Sequence, residues 1–100
     1  MITFLFGKLF FERREFMKRI AVISAILENP KQSQAKFNEV VSEFKGMVRG
    51  RMGIPVTELD VTVITITVIS ELDEINNLTG KLGKIPEVLV KTSISKKEFE

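Results

Sequence analysis

Residues 61–69, VTVITITVI, decide how the chain folds. Every position is Val, Ile or Thr, the residues that suit a pleated and half-buried strand. Side chains alternate along a strand, so Ile64, Ile66 and Val68 share one face, while Val63, Thr65 and Thr67 make a half-polar second face. On the N-terminal side, Glu58-Leu59-Asp60 forms a turn. It is preceded by residues 47–56, MVRGRMGIPV, where Gly50, Gly53 and Pro55 predict a short, bent edge strand. Further back the period changes. Phe37, Val40, Val41 and Phe44 recur at helical spacing, predicting a helix from Lys31 that stops at Gly46. Residues 18–27, KRIAVISAIL, are apolar on both faces: Ile20, Val22 and Ile26 on one, Ala21, Ile23 and Leu27 on the other. That marks a central or covered strand, broken by Glu28-Asn29-Pro30.

On the C-terminal side, Ser70 is placed to cap a second helix, with Asp73 near the capping-box position. Leu72, Ile75, Leu78 and Leu82 form its stripe and Gly83 its stop. Residues 88–94, VLVKTSI, supply a last strand, and the residues beyond it predict a frayed, charged tail. The order β-α-β-β-α-β predicts an α+β, ferredoxin-like sandwich: a four-stranded antiparallel sheet with two helices on one face. Two helices cover only one face. The other would carry apolar groups from the first, third and fourth strands, so a second subunit is expected, giving a homodimer or higher oligomer through the sheet face or a sheet edge.

Three segments follow: 1–16, an N-terminal extension; 17–95, the domain; 96–100, the charged tail. Five of the eight phenylalanines (Phe4, Phe6, Phe10, Phe11 and Phe16) lie in the first segment. It is shorter than the roughly 20 apolar residues that span a bilayer, and it lacks the layout of a signal peptide. Ile2, Leu5, Phe6 and Leu9 would share one face of an interfacial helix. The favoured alternative is an upstream segment that native translation omits. Glu12-Arg13-Arg14-Glu15 can be written in purine codons, as a ribosome-binding site would be, just before Met17.

At 100 residues and net charge +2 the chain is one domain with no demand for a nucleic-acid partner. It has no cysteine and no histidine, which removes thiolate and imidazole metal sites, cysteine nucleophiles and the commonest general base. No metal, cofactor or membrane partner is expected, and the expected location is cytoplasmic. Asp73-Glu74 reads as a solvated helix face, and no lysine is singled out, so an enzyme is not expected. Thr79-Gly80-Lys81-Leu82-Gly83-Lys84 lacks phosphate-loop spacing. The one candidate ligand segment is Arg49-Gly50-Arg51-Met52-Gly53. Its glycines admit close backbone approach, and its arginines offer bidentate recognition of carboxylate or phosphate. The competing reading is a bulged edge strand with solvated arginines.

These residues carry a resemblance. KRIAVISAILEN at the start, VRGRMGIPV in the middle and LTGKLGKIPEVLVKT near the end resemble the small iron-only hydrogenase system regulators. Those are ACT-like proteins related in fold to the C-terminal domain of nickel-responsive repressors. The resemblance covers about residues 18–95 and implies a self-associating regulatory module. Nickel sensing does not carry over, because the repressors' histidine and cysteine ligands have no counterpart here. ACT domains hold a small ligand near the loop after the first strand, which adds Asn29 to Arg49, Gly50, Arg51 and Gly53 as candidate ligand-binding residues. The expected function is non-enzymatic: a homo-oligomeric regulator that binds a small anionic metabolite. The alternative is an adaptor for a protein of the hydrogenase assembly system, without a ligand.

Overall fold

The computed structural model describes residues 17–100; the expectations for residues 1–16 lie outside the described residues. Strand β1 (Lys18–Leu27) leads into helix α1 (Pro30–Glu43), and a 3-10 turn (Lys45–Met47) precedes strand β2 (Val48–Val56). A second 3-10 turn (Thr57–Leu59) leads to β3 (Val61–Glu71), followed by helix α2 (Leu72–Gly83) and strand β4 (Val88–Ile94). The strands form one sheet in the order β2-β3-β1-β4, with every pairing antiparallel. The expected ferredoxin-like βαββαβ, ACT-like arrangement is therefore the fold.

Strand parity divides the sheet. Ala21, Ile23, Ala25 and Leu27 of β1 and Ile64, Ile66 and Val68 of β3 are buried beneath the helices. There they form one core with Phe37, Val40 and Val41 of α1 and Ile75, Leu78 and Leu82 of α2. Among the described residues no helix lies over the opposite face. Its rows run across all four strands: Ile54–Val63–Ile26–Leu89, then Met52–Thr65–Ser24–Lys91, then Gly50–Thr67–Val22–Ser93. The sequence assigned its apolar groups to three strands; β2 adds Met52 and Ile54, both exposed.

Local structure departs from expectation in three places. Gly46 does not stop α1, which ends at Glu43 with Phe44 as its cap. The chain instead tightens into a 3-10 turn that buries Met47, with the Met47 N–H donating to the Phe44 carbonyl at 3.0 Å. Ser70 does not cap α2. It stays in β3, paired with Arg19, and Glu71 takes the cap position without a side-chain hydrogen bond. Continuing the ladder satisfies backbone groups that a Ser70 cap would leave unpaired.

The tail is not frayed. Strand β4 pairs with β1 only as far as Ala21, so the free side of residues 18–20 needs partners, and the tail supplies them. The Ser95 N–H donates to the Ile20 carbonyl at 2.8 Å, and the Ile20 N–H donates to Ser95 Oγ at 3.1 Å. Lys18 and Phe99 then exchange backbone bonds at 2.6 and 2.7 Å, and Arg19 pairs with Glu98 at 2.9 Å.

Candidate functional site

The arginine segment lies on β2, an outer strand of the sheet, and Gly50 through Pro55 are all exposed. Its ladder with β3 shifts register between Val48 and Gly50, so Arg49 is the extra residue of a bulge. Beyond the bulge, Gly50 pairs with Thr67 on the helix-free face, whereas Arg51 pairs with Ile66 on the helix side. Arg51 therefore reaches over α1. Its guanidinium donates to Asn38 Oδ1 at 2.6 Å and sits 5.6 Å from the centroid of the Phe37 ring. Convergence of Arg49 and Arg51 on one anion needs the unbroken alternation of a regular strand. The bulge interrupts that alternation between them. At Gly50 and Gly53 an added Cβ would meet nothing, so the space above the backbone is open at both.

Asn29 is held elsewhere. Its carbonyl starts α1 by accepting from the N–H groups of Gln32 and Ser33, at 3.1 and 3.0 Å, and from Ser33 Oγ at 2.9 Å. Through the register, Arg51 is level with Ile66 and hence with Ile23. From there to Leu27 is about 13 Å along β1, with β2 and β1 about 10 Å apart across β3. One subunit thus brings Arg49, Gly50, Arg51 and Gly53 together on one strand but leaves Asn29 at the far end of the sheet.

Two surface pockets flank the sheet ends. One, of about 230 Å³, lies by the start of α1 and the turn after β2, and includes Lys31, Gln34, Pro55, Thr57 and Asp60. Asp60 there has a left-handed backbone, φ 53°, which Asp tolerates better than most side chains. The other, of about 400 Å³, lies at the opposite end between Lys18, Glu43, Phe44, Met47, Glu71 and Glu74. None of the five candidate residues lines either pocket. The sequence did not mark these pockets or Arg51's partners, because each joins residues from separate elements through the register.

Among the described residues, no group of three or more carboxylates is placed to hold a metal ion. No described helix is long and apolar enough to cross a membrane. What the described residues expose is open backbone and the Arg49 side chain on β2, and apolar side chains on the helix-free sheet face.

The family model described as "TM1266-like: Iron-only hydrogenase system regulator, putative" matches residues 19–92. Among solved structures, the chain is similar to the uncharacterized protein TM1266 from Thermotoga maritima. Identity is 32% and the TM-score 0.76, over 79% of this chain and 99% of that one. The fold is also similar to the ACT domain from GTP pyrophosphokinase of Chlorobium tepidum, at 18% identity and a TM-score of 0.66, over 76% of this chain and 99% of that one. No curated protein matches the chain.

Proposed function

Because the chain belongs to the TM1266-like family, we propose that it is a non-enzymatic regulator of the iron-only hydrogenase system that works as a homo-oligomer. The carrying observation is the one-sided sheet. Among the described residues two helices bury one face, and the other keeps six large apolar side chains exposed, five of them (Val22, Ile26, Met52, Ile54 and Leu89) in the three rows that cross the whole sheet. Such a face is costly to leave in water and is the kind of surface used for association. Regulation follows if a small anionic metabolite bound along Arg49, Gly50 and Gly53 alters how the copies pack. Arg51, which lies over α1 beyond the bulge and is bound to Asn38, is not part of that site. The proposed location is the cytoplasm.

The test is thermal-shift screening with organic acids, nucleotides and amino acids, combined with the native mass. A ligand that binds only the folded form at about 100 times its Kd adds roughly 2.7 kcal/mol, several degrees in Tm. A stabiliser whose effect is lost in Arg49→Gln supports the metabolite reading. A ligand-free response throughout favours the adaptor reading. That second reading draws on one observation: Arg51 is already engaged by Asn38 and Phe37, so a single guanidinium is left for an anion.

A further inference from the structure

We infer that the copies meet through the helix-free face of the sheet, packed against the same face of a second copy of this chain. This rests on the self-association proposed above and names its surface. The exposed large apolar groups on that face, among them Ile26, Met52, Ile54 and Leu89, are between 37% and 59% exposed, and strand parity puts them all on one side.

Charge identifies the occupant. The three full rows hold twelve residues and one charge, Lys91, although 28% of the whole chain is charged. An acidic or basic partner would be met by a complementary set of charges. A nearly neutral face fits a nearly neutral face, and the second copy carries one. Lys91 does not spoil the match. It lies on β4, an outer strand, so its ammonium reaches water at the rim while its stem stays on the apolar surface.

Size agrees. Four strands about 4.8 Å apart, paired over seven residues, project roughly 450 Å², and more along the corrugated side-chain surface. Against the ~800 Å² per partner of a standard interface, that is the scale of a small, reversible contact. Sheets stacked face to face lie about 10 Å apart with their strands roughly 30° from aligned, which lets the side chains of the two Ile54–Leu89 rows interdigitate. Addition of a strand to the β2 edge is the less suited route, since the bulge at Arg49 and the missing N–H of Pro55 both interrupt it.

The test is the double variant Met52→Lys, Leu89→Lys. Both positions are on outer strands and exposed in one subunit, so circular dichroism should report an unchanged fold. Sedimentation equilibrium of the full chain should show the dimer Kd rising by at least about 30-fold, in line with the several kcal/mol that like charges placed in an interface can cost. An unchanged Kd with a dimeric parent overturns the assignment to this face and leaves self-association standing. A monomeric parent overturns both. If the double variant fails to fold, Ser24→Cys replaces it, since the chain has no cysteine of its own. A thiol at the centre of the face should react with a maleimide at least about 10-fold more slowly at dimerising concentrations, as burial in the complex demands. A rate independent of concentration in a dimeric sample overturns the inference.

Discussion

Ile23 and Ile26 are three residues apart on β1 and point to opposite faces, so truncating each to alanine tests the division of the sheet. Ile23 is 0% exposed in the core under the helices, level with Ile66 and Thr92. Ile→Ala at such a site costs about 2–5 kcal/mol, the lost transfer energy plus the cavity left behind. A domain of this size has a total stability of roughly 4–13 kcal/mol, so Ile23→Ala should lower Tm by some 10–30 °C. Ile26 is 40% exposed, and no described residue above it would enclose a cavity in one subunit. Its loss should cost only about 1–2 kcal/mol in dilute protein, from the covered part of the side chain. If a second copy covers that face, the cost of Ile26→Ala must grow with protein concentration, because the remaining surface is buried only in the dimer. Urea unfolding followed by circular dichroism at about 1 and about 100 micromolar separates the two effects. Equal costs for the two variants at low concentration would refute the assignment of faces.

Three further outcomes follow from side-chain geometry. Truncation after Ile94 removes the Lys18–Phe99 exchange and the Arg19–Glu98 pair, and should cost about 1–3 kcal/mol, seen as a lower Tm; an unchanged Tm would mean that the tail does not hold β1. Thr79 and Thr92 share a part-buried hydroxyl bond of 2.9 Å. Either Thr→Val change alone should cost about 1 kcal/mol and the double change less than the two together, since only the single variants strand a partner; additive costs in denaturant unfolding would contradict this. A double-mutant cycle of Arg51→Ala and Asn38→Ala should give a coupling of about 0.5–1 kcal/mol; zero coupling would mean that the Asn38 bond does not hold Arg51 over α1.

The fold was legible because its main signals are periodicities that tertiary packing reinforces. The uninterrupted β-branched run of β3 and the stripe Phe37-Val40-Val41-Phe44 each point to one element, and the core uses them as read. Ends of elements were less legible. Whether Ser70 caps a helix or stays in a strand depends on Arg19 lying opposite it, 51 residues away in the chain. The tail misled for the same reason: its polar composition suggests fraying, yet the free side of β1 is what orders it. The arginine segment was visible as glycines and guanidiniums. The orientation of Arg51, however, follows from a single extra residue in the ladder, and one residue of register turns a side chain to the other face.

A sheet covered by helices on one side only is the reason to expect that copies of this chain associate. Sedimentation equilibrium of the full chain, from nanomolar to high micromolar protein, measures this most directly. The mass should shift reversibly from the 11.4 kDa subunit to twice that value or more as concentration rises. A single species at 11.4 kDa across the whole range would contradict it.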